Sequence, residues 1–210
     1  MEASDKIGGI LLYIVRHCEV DSDGEGKIRG LQNQSLNEEG DRQCAELAEF
    51  FKDIPISAVY SDDLKRTYHT AITIAHTHDL EVTQDVDLRS WDVGSDLEGR
   101  SIEANEDEIR ELKLQPDKIP VGGESWAEFE RKAISTFEKY TSKALDASAP
   151  IVIVIHGSGI QAIWDYLGIV EKSGAYDATP IDTAGIAAIS MTRRGFSVKV
   201  LKGAKDLVDA

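Results

Sequence analysis

Cysteine, long apolar runs and positive charge are all scarce in this chain of 210 residues. Cys18 and Cys44 are too few for a disulfide framework, and they lack the spacing of a structural zinc site, so we expect two reduced thiols. No apolar run approaches the roughly 20 residues that a membrane-spanning helix needs. The polar, acidic start of the chain lacks the basic and apolar segments of a secretory signal. These absences predict a cytoplasmic protein that does not act on membranes.

The shortage of basic residues gives a formal charge of −15 at pH 7. A surface of this sign repels nucleic acid, because nucleic-acid-binding proteins need basic patches that neutralise phosphates. It also slows the approach of highly anionic substrates. Any phosphate site in this chain would therefore depend on a local cluster of positive groups rather than on the overall field.

Strand-like and helix-like segments alternate through most of the chain. Apolar, branched runs predict strands at residues 7–15, 56–60, 82–84, 151–155, 185–191 and 196–201. Two helices are predicted to follow the capping residues Asn37 and Ser61, and an exposed helix is predicted at residues 101–113. Two more are predicted from Trp126 to Ala144 and from Gly157 to about Gly168. This order predicts a three-layer α/β/α sandwich with a mostly parallel central sheet. We expect a single domain over residues 1–210, with its core at about 9–200.

Two histidines follow predicted strands directly. His17 comes with Arg16 after the first strand, and His156 comes with Gly157 after the strand at residues 151–155. Ligands bind at the carboxyl ends of the strands in open α/β sheets, so we expect these side chains to meet there. Arg66 falls about one turn into the helix after Ser61 and can join them.

The ordered set of motifs resembles the histidine phosphatase superfamily, also called the phosphoglycerate mutase-like family, over about residues 9–200. Each motif is weak alone, whereas the set in this order is specific. The matching residues are Arg16-His17, Ile28-Arg29-Gly30, Leu36, Gly40, Arg66 in the segment 59–67, Leu88-Arg89, Asp92, Gly94, Glu98-Gly99, Gly122-Gly123-Glu124-Ser125 and His156-Gly157.

The resemblance implies that His17 attacks phosphorus and carries a phosphohistidine. Arg16 and Arg66 would bind phosphoryl oxygens, and a protonated His156 would supply another donor. The substrate-binding residues would be Arg29, Gly30, Gly157 and Asp23. No metal or other cofactor is needed in this scheme. The substrate would be a small phosphorylated molecule or a phosphoprotein, and the motifs carry no information on oligomeric state.

Three positions depart from the family pattern. Cys18 stands where glycine is usual, and its side chain either crowds the pocket or points away. Asp23 stands where asparagine is frequent, and it would repel phosphate unless it turns out or binds a cationic part of the substrate. Ser90 stands where many members carry the glutamate that protonates the leaving group. Serine cannot act as an acid near neutral pH, which leaves Asp92 as the candidate acid and Asp96 as a weaker candidate.

Three functions are compatible with these departures. A phosphatase without the glutamate would favour weakly basic leaving groups such as aryl phosphates over alkyl phosphates. A non-catalytic module that binds a phosphorylated ligand or a partner would have lost turnover together with the glutamate. A phosphosugar mutase would need further basic residues; the segment 112–121 offers only Lys113 and Lys118, and Arg100 could compensate only in part. We therefore favour hydrolysis.

Overall fold

A computed structural model describes residues 9–169, 181–192 and 195–204. Its six strands form one sheet in the order β3-β2-β4-β1-β5-β6. The strands β1 to β4 are parallel, whereas β5 and β6 run antiparallel at one edge. In chain order the strands are β1 (Ile10–Arg16), β2 (Ala58–Ser61), β3 (Val82–Gln84), β4 (Ile151–Ile155), β5 (Ile181–Thr192) and β6 (Gly195–Ala204).

Helices cover both faces of this sheet. They are α1 (Asp21–Gly24), α2 (Glu38–Phe51), α3 (Lys65–His76), α4 (Glu106–Leu114), α5 (Trp126–Asp146) and α6 (Gly157–Leu167), with short 3₁₀ turns at Val86–Leu88 and Glu103–Asn105. Within the described ranges, none of these helices is long and apolar enough to cross a bilayer.

The central strands β1 and β4 explain the layering. Successive side chains of a strand point to opposite faces of the sheet, and β4 is buried along its whole length. Ile153 and its odd-numbered neighbours pack with α5 and α6, whereas Val152 and Val154 pack with α2 and α3. The continuous apolar run of β4 is therefore what a central parallel strand requires. The observed fold confirms the predicted three-layer α/β/α sandwich with a mostly parallel sheet.

Several boundaries differ from the predictions. Ser61 ends β2 and does not cap α3; Leu64 occupies that position, and the carboxylate of Asp62 accepts from the Leu64 backbone N–H at 2.7 Å. The helix expected to be exposed at residues 101–113 begins as a 3₁₀ turn, and Ile109 and Leu112 of α4 are buried. The predicted strand at 7–15 begins at Ile10, while residues 7–8 and the predicted turn residues 193–194 lie outside the described ranges.

Candidate active site

The register of the two central strands brings the two predicted histidines together. Arg16 at the end of β1 pairs with Ile155 at the end of β4. His17 and His156 each follow directly, and their ring centroids lie 5.2 Å apart. The His17 backbone N–H donates to the Ile155 carbonyl at 3.0 Å, which extends the ladder by one bond into the site.

His17 has the state that a nucleophile needs. Its Nδ1 lies 2.8 Å from the Cys18 carbonyl, which can only accept, so Nδ1 carries the proton and Nε2 carries the lone pair. The ring is buried, and Nε2 has no hydrogen-bond partner among the residues that the structure describes. Burial first, and then the positive charge of Arg66, lower the pKa of His17 well below its usual value. The imidazole is therefore neutral near pH 7.

Arg66 is buried beside the histidines on the first turn of α3. Its Nε donates to His156 Nδ1 at 3.2 Å, and its Nη1 and Nη2 donate to the carbonyls of Gln32 and Gly30 at 2.5 and 3.1 Å. Gly30 adopts φ +52°, a left-handed conformation that favours glycine and aims this carbonyl inward. The loop at residues 30–32 thus fixes the guanidinium beside the pocket.

His156 differs from the expectation of a protonated donor. Its Nε2 donates to the buried carboxylate of Asp62, and its Nδ1 accepts from Arg66 Nε. Burial lowers the pKa of His156 to about 4, although Asp62 opposes the shift. Both nitrogens of its neutral ring are therefore hydrogen-bonded within the protein, and in this arrangement the ring holds Arg66 by accepting from its Nε.

Asp23 takes neither of the two arrangements expected of it. Its side chain is 8% exposed and forms an ion pair with Arg29, while Arg16 Nη2 lies 3.8 Å from the same carboxylate oxygen. The other oxygen accepts from the Val20 backbone N–H at 2.9 Å. Arg16 also donates to the Ile181 carbonyl at 2.8 Å. The carboxylate thus partly neutralises two of the arginines that the sequence assigns to phosphate binding.

A pocket of about 370 Å³, counted with its open mouth, lies over His17 and His156. Gly157 and Ser158 bring the first turn of α6 to its wall, and backbone N–H groups at a helix start favour an anion. The Ser90 and Ser158 hydroxyls lie 3.0 Å apart on the same wall. The remaining lining residues are Arg29, Trp91 and Val93.

Asp92 is not among the residues that line this pocket. Its carboxylate accepts from the Gly94 backbone N–H at 3.0 Å, and its own backbone pairs with Glu124 across the loop. This carboxylate serves the turn at Gly94. In the described part of the chain, the pocket wall has serine hydroxyls where the sequence analysis expected an acid.

Cys18 points away from the pocket. It is buried in the core between the sheet and α2, with its Sγ 3.2 Å from Cys44 Sγ, and both thiols are free. The departure from glycine at this position therefore leaves the pocket open.

Sequence reasoning missed two residues of the site, Asp62 and Ser158. Both stand near recognised motif residues: Ser158 comes two residues after His156, and Asp62 comes four residues before Arg66. Neither residue belongs to a hydrophobic periodicity or to a recognisable motif spacing in the sequence. The signal available for Asp62 was its position directly after a strand, because the carboxyl ends of parallel strands meet where His17 and His156 also lie.

Comparison with protein families gives one match over most of the chain. The model for the histidine phosphatase superfamily (branch 1) matches residues 12–203. That range contains every site residue described above.

Individual relatives are similar over most of their length. A protein from Arabidopsis thaliana described as a metal-independent phosphoserine phosphatase is 34% identical over 173 residues, which cover 78% of this chain and 70% of that protein. Phosphoserine phosphatase 1 of Hydrogenobacter thermophilus is 28% identical over 189 residues, 88% of each chain. The crystal structure of a phosphoglycerate mutase from Bacillus anthracis superposes with a TM-score of 0.75 at 20% identity, covering 90% of this chain and 91% of that one.

Proposed function

The chain belongs to the histidine phosphatase superfamily (branch 1), and on that premise we propose that it hydrolyses phosphomonoesters through a phosphohistidine on His17. The observation that carries this proposal is the buried Nε2 of His17, which holds a lone pair without a partner in the described residues. An unpaired buried acceptor destabilises the folded state by about 1–3 kcal/mol. A role as the attacking nucleophile explains why this nitrogen is left without a partner.

In the first step, His17 Nε2 attacks phosphorus and the bond from phosphorus to the ester oxygen breaks. Arg29 lines the pocket over His17, and the charges of Arg66 and Arg16 also act on the His17 ring. In this proposal the three guanidinium groups balance the charge on the three equatorial oxygens. Phosphoryl transfer depends mainly on such positioning and charge stabilisation, so no metal ion is required in this proposal. The leaving alcohol departs as its anion or takes a proton from solvent.

In the second step, water attacks the phosphohistidine and the bond from phosphorus to Nε2 breaks. Inorganic phosphate leaves and His17 returns to its neutral state. The lowered pKa of His17 helps here, because the ring then leaves as neutral imidazole and stays ready to attack.

The leaving group decides which esters are good substrates. The pocket wall contributes the hydroxyls of Ser90 and Ser158, neither of which can protonate an alkoxide near neutral pH. Aryl and acyl phosphates leave as weak bases and should therefore react faster than alkyl phosphates. The two relatives described above from Arabidopsis thaliana and Hydrogenobacter thermophilus carry the name phosphoserine phosphatase, which makes phosphoserine the first alkyl phosphate to compare.

We favour hydrolysis over mutase activity because the two lysines that could bind a second anionic group have other partners. Lys113 donates to Gln161 Oε1 at 2.6 Å and stacks over Trp126, while Lys118 pairs with Glu111 at 3.0 Å. Neither lies among the described residues that line the pocket. The binding module remains the second candidate because Ser90 replaces the usual acid.

The test is to trap the covalent intermediate. Wild-type protein is mixed with an aryl phosphate, quenched without acid, and analysed by mass spectrometry for phosphate on His17. The matched control is His69→Ala, since His69 is an exposed histidine on α3. We expect a phosphorylated peptide in wild type and in His69→Ala, and no phosphorylation or turnover in His17→Ala. Phosphate that never appears on His17 would move the assignment to the binding module.

A further inference from the structure

Asp62 is a fully buried carboxylate between β2 and α3, and the mechanism above does not use it. One of its oxygens, Oδ1, accepts from the Leu64 backbone N–H at 2.7 Å and from the Thr67 hydroxyl. Its other oxygen, Oδ2, accepts from His156 Nε2 at 2.5 Å. All three partners are donors, which only a carboxylate can accept at once.

The contact with Asp62 decides which nitrogen of His156 carries the proton. Because Oδ2 can only accept, the proton sits on Nε2 and the lone pair sits on Nδ1. That lone pair faces Arg66 Nε, which donates to it at 3.2 Å. His17 has the opposite tautomer, with its proton on Nδ1. The two site histidines thus have different states, each set by a fixed acceptor beside it.

We propose that Asp62 is a positioning residue that holds His156 in its Nε2–H tautomer and thereby aims Arg66 at the phosphoryl group. The proposal rests on the proposed function, since it assigns Arg66 to a phosphoryl oxygen. Asp62 itself touches no substrate atom and acts through His156. Its bonds to Leu64 and Thr67 tie this orientation to the start of α3, which also carries Arg66.

Asparagine at position 62 cannot reproduce this arrangement, although it has the same shape. With its oxygen toward Leu64 and Thr67, its amide donates to His156 Nε2 and forces the ring proton onto Nδ1. That proton then faces the donor Arg66 Nε. With the amide reversed, its N–H groups face the N–H of Leu64. Either orientation places two donors against each other. The orientation with the oxygen toward Leu64 and Thr67 keeps the hydrogen bonds at the start of α3.

The first measurement is a long-range ¹H–¹⁵N spectrum of the histidine rings, which distinguishes protonated from unprotonated ring nitrogens. In wild type we expect protonated Nε2 on His156 and protonated Nδ1 on His17. In Asp62→Asn we expect the His156 proton to move to Nδ1. The matched control is Asp63→Asn, because Asp63 is an exposed neighbour paired with Arg89. A cationic or Nδ1-protonated His156 in the wild-type spectrum would overturn the proposal without any variant.

The second measurement is the affinity for inorganic phosphate, by calorimetry, beside the kinetics of an aryl phosphate. We expect Asp62→Asn to weaken phosphate binding and to raise KM roughly 10- to 100-fold, the scale of a lost hydrogen bond to a charged group. Asp63→Asn should match wild type. A purely structural defect would reduce the active fraction, lowering kcat and leaving KM unchanged, and that result would overturn the proposal.

Phosphate binding separates this proposal from the proposed function. If wild type binds inorganic phosphate but never turns over an ester, the hydrolytic function fails. Weaker phosphate binding in Asp62→Asn would still support the positioning role in that case. If Asp62→Asn binds phosphate as tightly as wild type, the positioning role fails whatever the turnover.

Discussion

The two sides of the pocket are built differently. On the side that we propose binds the phosphoryl group (the phosphate side), His17, Arg66 and His156 are buried, and each is held by hydrogen bonds to backbone or to a buried partner. On the side that we propose holds the departing alcohol (the leaving-group side), the lining residues include Ser90, Ser158 and Trp91, and the two hydroxyls lie 3.0 Å apart. The difference suggests a site that can stabilise a transferring phosphoryl group but offers the departing alcohol little help.

This contrast separates two kinds of substitution. A change on the phosphate side should affect all esters alike, because every substrate shares the phosphoryl group. A change on the leaving-group side should affect alkyl and aryl esters differently, because only strongly basic leaving groups need a proton. The predictions below use that distinction, beginning with the largest effect.

The substitution Arg66→Lys should lower kcat/KM by roughly 10²–10³-fold, the cost of losing one aligned donor to a developing oxyanion. Lysine keeps the charge but lacks the fork that meets His156 and the two loop carbonyls. The loss should be the same for an aryl phosphate and for phosphoserine, measured side by side. A loss of kcat/KM for only one of the two esters would contradict the assignment of Arg66 to the phosphate side.

The substitution Ser90→Glu should raise the hydrolysis of alkyl phosphates about 100-fold, the lower end of general acid catalysis. Aryl phosphate hydrolysis should change little, so the ratio between the two substrates is the measurement. The control Ser90→Gln has the same size without an acid and should give no gain. Equal gains in both variants would mean that side-chain volume, rather than the proton, limits the reaction.

The burial of His156 should make the folded state sensitive to acid. Its pKa falls to about 4 in the folded protein, chiefly because of burial, against about 6.5 when unfolded. Between these values the unfolded chain binds more protons, so the stability present above pH 6.5 is lost as the pH falls toward 4. The loss from this residue is about 2 kcal/mol at about pH 5.

Urea unfolding at about pH 7.5 and about pH 5 measures this loss. In His156→Gln the difference between the two conditions should shrink by that amount, since the titrating group is gone. The exposed His69→Gln variant should keep the full wild-type difference. An unchanged difference in His156→Gln would mean that His156 has the same pKa in the folded and unfolded states, which contradicts the lowered pKa.

The substitution Asp23→Asn should have the smallest effect. It removes a carboxylate that competes with phosphate for Arg29, so the affinity for inorganic phosphate should rise severalfold, where about tenfold corresponds to about 1.4 kcal/mol of relieved competition. Asp21→Asn, an exposed neighbour on α1, should leave the affinity unchanged. Weaker binding in Asp23→Asn would mean that the carboxylate orients Arg29 instead of opposing the ligand.

Much of the architecture was predictable because it depends on local pattern. The continuous apolar run of β4 and the apolar residues that recur every three to four positions in α5 indicate directly which side chains are buried. The positions of His17 and His156 after strands followed from the same pattern. The boundary at Ser61 was wrong because a serine after a strand resembles a cap, whereas the Asp62 carboxylate takes the Leu64 N–H.

The sequence alone determined that Arg16 and His17 lie at the carboxyl end of a strand and that position 90 has serine instead of an acid. Only the tertiary structure decided the state of each group. The proton position on His156 depends on Asp62, and the inward packing of Cys18 depends on Cys44, both of which are distant in sequence. The proton position on His17 depends on the carbonyl of its neighbour Cys18, and Asp23 pairs with Arg29 six residues on, but only the folded backbone brings these groups into contact. Hydrogen bonding and burial act through space, and a linear pattern carries no distance between such partners.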